Sequence, residues 1–472
     1  MKAIDAFHLP GLVELDIRDW DVREYADGAV RLRFPVLSPD ALRRIIDRLR
    51  HSRTRYLADR PVAEVVDAVD AVARRLVRPD DPARTLLERA LPAVTGYSPP
   101  MVRLVLDRMA ADWRREALEH LLRAELGDPA VLDGFAPRPE RGRDLHVRAL
   151  GPELAFHVFA GNVPGVAVTS LVRSLLVKAA TLGKSGSGDP LLPAVFARTL
   201  AEVAPELGEC IAVAYWPGGS AGLEGVVLDA ADTVVVYGSG DVVESLRARA
   251  PATARLVEHG PRFSFAAIAR EALADDAAVE ASATAAAEAV ATFDQQGCVS
   301  PHVIYVERGG KTSPEAFAAA VAEALNRLER ELPRGRLSAA EAADIQQLRG
   351  AMEFRALGGG DVALHTSRGT EYTVIYEADP AFSPSCLNRV VWVKPVDDLA
   401  ETAELTRPWA HYLQTVGIAA PPSRLADIAE RLARRGATRI ARLERMPWPP
   451  PTWHHDGSGP LRELIRWVDL EG

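Results

Sequence analysis

The sequence predicts an α/β protein built on a parallel, doubly wound sheet. Three observations predict it. Strand-like apolar runs alternate with helical patterns between residues 146 and 262. Two of those runs end in glycine-containing turns, at 161–165 and 238–241, at the carboxyl ends of strands where such sheets bind ligands. With 472 residues, 48% hydrophobic and 26% charged, the chain has the balance of a globular enzyme and length enough for two or three domains.

Taken in order, residues 1–145 read as a mostly helical N-terminal region. Alternation at 29–34 predicts a half-buried strand. Ser38-Pro39 is an N-cap followed by Pro at the first helical position, opening an amphipathic helix through Leu49. Residues 62–77 and 101–126 repeat apolar side chains at three- and four-residue spacing, as helices do. A Pro-rich exit covers 136–140. The second region, 146–262, then reads as strand 154–159, turn 161–165, apolar helix 166–180, strand 210–214, helix 222–228 and strand 233–237. Gly238-Ser239-Gly240-Asp241 opens a further helix. The third region, 263–446, begins with a strand at 263–268 and an Ala-rich helix at 275–292. The loop Phe293-Asp294-Gln295-Gln296-Gly297-Cys298 leads into a strand at 302–307, and later strands are expected at 371–377 and 389–394. Pro447-Trp448-Pro449-Pro450-Pro451 is a stiff linker into a tail, 447–472.

A net charge of -9 argues against a nucleic-acid partner. The local exception, Arg431, Arg434, Arg435, Arg439, Arg442 and Arg445, reads as a solvated helix face. Cys210, Cys298 and Cys386 show no CxxC spacing, so neither a disulfide framework nor a metal site is expected. The start, Met1-Lys2-Ala3-Ile4-Asp5, lacks the pattern of a signal peptide, and no apolar run reaches the ~20 residues of a membrane span. A cytoplasmic setting is the expectation.

Two phosphate-loop patterns fail. Gly183-Lys184-Ser185 has Lys178 where a P-loop needs its first glycine, and Gly238-Ser239-Gly240 has Val243 where a dinucleotide fingerprint needs its third. Either loop alone is a bland turn.

In combination with Cys298 they form a pattern. Phe159-Ala160-Gly161-Asn162-Val163-Pro164, Leu182-Gly183-Lys184-Ser185, Val236-Tyr237-Gly238-Ser239-Gly240 and Phe293-Asp294-Gln295-Gln296-Gly297-Cys298 resemble, in that order, four cofactor and nucleophile segments of the aldehyde dehydrogenase superfamily. The run Asp294-Gln295-Gln296-Gly297-Cys298-Val299-Ser300-Pro301 is similar to one branch, the long-chain acyl-CoA reductases. So are Tyr412-Leu413-Gln414-Thr415-Val416-Gly417 and Trp453-His454-His455-Asp456-Gly457 with Trp467-Val468-Asp469. The resemblance covers about residues 146–472. It implies an aldehyde dehydrogenase-like fold, with a Rossmann-type NAD(P) domain at 146–262 and an α/β catalytic domain at 263–446.

It also implies a chemistry: reduction of an acyl thioester, on CoA or a carrier protein, to an aldehyde through an acyl-cysteine. A thiolate suits both halves, since it attacks the carbonyl and leaves a thioester still open to hydride. Cys298 is the implied nucleophile, against the alternative of an inert buried thiol. The Asn162 amide and the Cys298 backbone N–H are the implied oxyanion donors. Lys184 would meet the adenosine ribose, Ser185 or Ser187 a 2′-phosphate, and Gly238 and Ser239 the pyrophosphate. No acidic residue precedes Asp189 after that strand, which favours NADPH, with NADH the alternative. Glu258-His259-Gly260-Pro261 stands where hydrolytic relatives carry a water-activating Glu before two glycines. His259 is taken as a proton donor or orienting group, and Glu258 aligns only loosely. The His454-His455 pair is assigned to the tail, not to a metal. An acyltransferase or synthetase that supplies the acyl group, and pairing of copies into a homo-oligomer, are implied by the resemblance alone. An oxidative aldehyde dehydrogenase, hydrolytic or CoA-acylating, and a non-catalytic scaffold that binds a carrier protein are the competing functions.

Overall fold

The computed structural model describes residues 3–11, 17–138 and 144–471. Met1 and Lys2, and Pro139 and Glu140 of the Pro-rich exit, lie outside the described residues. The chain forms two compact units. Met1–Thr95, Val102–Gly260 and Pro450–Gly472 make the first, and Gly96–Met101 with Pro261–Pro449 make the second.

At the centre of the first unit is a five-stranded sheet, parallel throughout. Its order is Arg255–His259, Thr233–Tyr237, Leu154–Val158, Ala180–Lys184 and Ile211–Ala214. The chain therefore starts in the middle strand, winds to one edge and then to the other. The three central strands are buried at every position, which is why Leu154–Val158 and Thr233–Tyr237 read as largely apolar runs; Ala180–Lys184, with Thr, Gly and Lys, does not. Phe156, Leu182 and Val234 pack in one cluster with Leu42, Ile45 and Leu49 of the helix Pro39–Ser52. That helix starts where expected: the Ser38 hydroxyl accepts the Ala41 N–H at 3.1 Å, with Pro39 next in line.

Two helical expectations are corrected. Residues 101–126 lie in two helices, Pro99–Asp112 and Arg115–Leu126. The break is fixed by bonds distant in sequence. Trp113 is buried with its indole N–H on the Thr169 hydroxyl, and buried Asp70 accepts from Arg114 Nε and the Arg115 N–H. The apolar helix at 166–180 ends at Leu176, because Lys178 takes φ +62° and pairs with Asp133 at 2.6 Å; Ala180 already belongs to the next strand. The tail closes on this unit, with Arg466–Glu471 antiparallel to Leu145–Leu150.

The second unit has a seven-stranded sheet: Val362–Thr366, Thr373–Glu377, Val390–Val396, Pro301–Glu307, Phe263–Ile268, Leu413–Ala419 and Arg439–Arg442. Only the pairing of the first two is antiparallel. The helices Asp276–Ala291 and Pro314–Leu328 cover one face over Ala266, Ile304 and Val391. The other face buries Phe265, Tyr305 and Trp392 with Ile345 and Ile428. The Arg-rich stretch is not one helix face. Arg431 is exposed on Pro422–Ala433 and Arg434 just past its end, but Arg439 begins an edge strand and is buried. Among the described residues, no helix is long and apolar enough to cross a membrane.

Candidate active site

In the first unit the winding reverses between Leu154–Val158 and Thr233–Tyr237, and such a switch point opens a crevice at the strand ends. Glycines shape it. A Cβ on Gly161 would lie 2.5 Å from the Gly188 backbone nitrogen, one on Gly188 2.5 Å from the Gly161 oxygen, and one on Gly186 2.8 Å from the Gly161 nitrogen. The turn after the first strand and the loop after the second thus touch backbone to backbone, which only glycine permits. Asn162 sits exposed in that turn.

Lys184 ends the second strand, buried, with its ammonium 5.8 Å from the Trp216 ring centre. Burial lowers its pKa, and the Glu224 carboxylate opposes the shift. Ser185 is fully buried; its backbone N–H donates to the Ala214 oxygen and its hydroxyl has no hydrogen-bond partner. Ser187 is exposed. Asp189 is buried, pushed up to about 6 by desolvation, and accepts the Leu192 N–H at the start of Leu192–Val203. Gly238 leads to Ser239, the N-cap of Gly240–Arg249, which is exposed and makes no side-chain cap bond.

Glu258 and His259 are neighbours on one strand and point to opposite faces. Glu258 is ion-paired with Arg247, Nε to carboxylate at 2.8 Å. His259 is buried, its Nδ1 2.9 Å from the Asp456 carboxylate and its Nε2 without a hydrogen-bond partner, 3.9 Å from Glu463. Four rings form a column: Tyr237 on His259 at 4.4 Å, His259 on His455 at 4.3 Å, His455 on Trp453 at 4.4 Å. One candidate ligand atom each from His259, His455 and Asp456 lies within 4.8 Å of the others. The two imidazoles are only 15° from parallel, however, and ring nitrogens donate in the ring plane, so stacked rings do not converge on one ion. His454 points away, its side chain largely exposed.

In the second unit, the helix Asp276–Ala291 gives way to a turn in which Phe293, Asp294 and Gln295 all have positive φ. Cys298 follows, half-buried. Its carbonyl accepts the Ser264 hydroxyl at 2.6 Å, and that oxygen in turn accepts the Thr415 N–H at 3.1 Å. Opposite Thr415 on the next strand is Arg439, whose guanidinium donates to the Met446 and Arg445 oxygens at 2.8 and 2.7 Å. Burial pushes Arg439 down to about 10, and an electrostatic interaction with Cys298 opposes that shift. Cys210 is buried and pushed up to about 12 by desolvation, and burial also raises half-buried Cys386.

Within the first unit, the loops carrying Asn162, Ser185 and Ser239 follow adjacent strands, and His259 ends the edge strand beside Tyr237; Cys298 belongs to the second unit. Sequence reasoning missed Asp456 as the partner of His259, Gly186 and Gly188 as partners of Gly161, and the burial of Arg439 with its electrostatic link to Cys298. Only the glycines left a signal, in the run Gly186-Ser187-Gly188.

A family model described as acyl-CoA reductase (LuxC) matches residues 57–467. The long-chain acyl-protein thioester reductase of Vibrio harveyi is 26% identical over 424 residues, 88% of this chain and 84% of its own. That of Aliivibrio fischeri is 26% identical over 479 residues, 98% and 93%. Among solved structures, the indole-3-acetaldehyde dehydrogenase AldA of P. syringae, in complex with NAD+ and IAA, matches with a TM-score of 0.77 at 14% identity, over 100% of this chain and 97% of that one. The fold is that of the aldehyde dehydrogenases, as the sequence led one to expect.

Proposed function

The chain belongs to the acyl-CoA reductase (LuxC) family, oxidoreductases on an aldehyde dehydrogenase fold, and from that premise we propose that it reduces an acyl thioester to the aldehyde with NADPH through an acyl group carried on Cys298. The contrast among the three cysteines carries this reading. Cys298 is half-buried just after the left-handed turn Phe293–Gln295, and Arg439 interacts with it electrostatically, whereas burial disfavours the thiolate at Cys210 and Cys386.

The thiolate attacks the acyl carbonyl and the carrier thiol departs, leaving a thioester on Cys298. A nicotinamide cofactor supplies the hydride. The resulting thiohemiacetal collapses, expelling the Cys298 thiolate and releasing aldehyde. The Asn162 amide and the Cys298 backbone N–H are assigned to the oxyanion, a role in which one donor is typically worth ~10²–10³ in rate. His259 is assigned a proton. With Nδ1 held by Asp456 the ring is fixed in place, which suits an orienting group as well as a proton donor.

The cofactor residues fit a dinucleotide. The glycine contacts bring the two loops together at the strand ends, and the exposed helix start at Ser239 and Gly240 suits a pyrophosphate. Lys184 would meet the ribose. Of the two serines, Ser187 has the accessible hydroxyl for a 2′-phosphate, while Ser185 is enclosed. Asp189, the first acid after the strand, is buried and accepts the Leu192 N–H, and desolvation disfavours its charged form. Glu258, which a hydrolytic enzyme would need as a base, is tied to Arg247, and this favours reduction over aldehyde oxidation with water. CoA or a carrier protein as donor, an acyltransferase or synthetase as supplier, and a homo-oligomer complete the proposal.

The test incubates the protein with NADPH and acyl-CoAs of graded length, trapping aldehyde, with Cys298→Ala alongside. Thioester-dependent NADPH oxidation that yields aldehyde and disappears in the variant is expected. Aldehyde formation that survives Cys298→Ala would overturn the covalent route.

A further inference from the structure

Two runs of three residues in the second unit share a conformation that side chains disfavour. Phe293, Asp294 and Gln295 have φ of +57°, +47° and +65°, and Leu387, Asn388 and Arg389 have +64°, +57° and +64°. The runs are laced together almost residue for residue. Arg389 Nε donates to Asp294 at 2.9 Å. The Gln295 amide donates to the Val390 oxygen at 2.8 Å and accepts the Val390 N–H at 2.9 Å, while also donating to the Pro301 oxygen at 2.7 Å. Gln296 donates to the Asn388 side-chain oxygen at 3.0 Å.

Each run is also tied from behind. Arg389 reaches Glu329 at 2.8 Å, and Asp294 accepts the Gly335 N–H at 3.0 Å. Asn388 reaches, at 3.4 Å, the Glu341 that forms the capping box of Ala339–Leu357. Left-handed runs of this kind persist only when their surroundings over-determine them, and they cluster at working sites. Here the surroundings of one run are the other run.

We propose that residues 387–389 are the seat of the nucleophile loop, with Asn388 and Arg389 as positioning residues that fix where Cys298, two residues beyond Gln296, presents its thiol. This rests on Cys298 being the nucleophile. Neither run can relax without breaking bonds to the other, so the Cys298 backbone is set before any acyl group arrives. Rates of acyl transfer are sensitive to such placement, since a displacement near 1 Å costs about 10²-fold.

The test is a double-mutant cycle, Gln296→Ala, Asn388→Ala and the pair, read as the rate of acyl transfer from an acyl-CoA to Cys298 by intact mass. Arg389 is left alone, because its loss strands the buried Asp294 carboxylate as well as the half-buried Glu329 and endangers folding. Each single variant should acylate about 10–100-fold more slowly, with half-saturation by acyl-CoA and the melting temperature unchanged, and the pair should be no slower than the worse single. Losses that multiply in the pair, or a lowered melting temperature with full acylation rates, would overturn the seat. Absence of acyl group on wild-type Cys298 is a different failure: the nucleophile reading itself falls, and the seat with it.

Discussion

The crevice of the first unit and the Cys298 loop of the second obtain their shapes by opposite means. Around Gly161, Gly186 and Gly188 the geometry comes from side chains that are missing, so two backbones touch and nothing need hold them. Around Cys298 it comes from side chains that are present, Asp294, Gln295 and Gln296, gripping partners about 95 residues away in sequence. The first arrangement is vulnerable to added atoms and indifferent to most deletions. The second is vulnerable to deletions and carries its charge in the interior.

That contrast is most directly broken at Arg389, 1% exposed between Asp294 and Glu329. Arg389→Met should cost about 3–5 kcal/mol in chemical denaturation, the usual loss when one partner leaves a buried ion pair. A loss under 1 kcal/mol would mean that the loop does not depend on this charge.

Acid tests the first unit. His157 is fully buried between the Ser170 and Ser174 hydroxyls, and desolvation, with His259 second, pushes it down to about 3. Its unfolded form takes up a proton near pH 6.5 and the folded form does not, so stability falls as pH drops below 6.5 and keeps falling towards 3. Between pH 6.5 and 4.5 the decline should be about 2–3 kcal/mol, flattened in His157→Gln. A wild-type slope equal to the variant's would contradict the assignment.

Gly161→Ala sharpens the comparison from the crevice side. A Cβ 2.5 Å from the Gly188 nitrogen forces the loops apart, and overpacking of this order should weaken NADPH binding about 10–100-fold. Acylation of Cys298 should be unaffected, and equal losses in both would show the two regions to be one device. The smallest effect is expected at Arg439→Gln. Alkylation of Cys298 at neutral pH should slow about tenfold and recover in alkali, whereas an unchanged profile would leave Arg439 a purely structural residue.

Three strands of the first sheet, Leu154–Val158, Ile211–Ala214 and Thr233–Tyr237, were legible because burial leaves largely apolar runs, whereas Ala180–Lys184, which carries Thr, Gly and Lys, and the edge strand Arg255–His259, which carries Arg, Glu and His, left no such run. The helix after Ser38 was legible because its cap is local. The roles proposed for Cys298, Lys184 and Gly238 rest on resemblance, not on any physical signal of their own. What escaped was set by distance. The break at Trp113 depends on Thr169 and Asp70, the early end at Leu176 on a left-handed lysine held by Asp133, and the partner of His259 stands 197 residues on. Arg439 escaped for another reason: an arginine among arginines carries no mark of burial, and only its place opposite Thr415 reveals it.

The first unit is interrupted by the second, and its last pieces, Asp456 beside His259 and the strand Arg466–Glu471, come after Pro450. On a ribosome this imposes a schedule. At ~5–20 residues per second, roughly 10–40 s separate the emergence of His259 from that of its carboxylate, while residues 261–449 have their own strands to pair in the meantime. A chain stalled in that interval holds a finished five-stranded sheet whose histidine still waits for its acid, so nascent chains halted before Pro450 are where chaperone capture should concentrate.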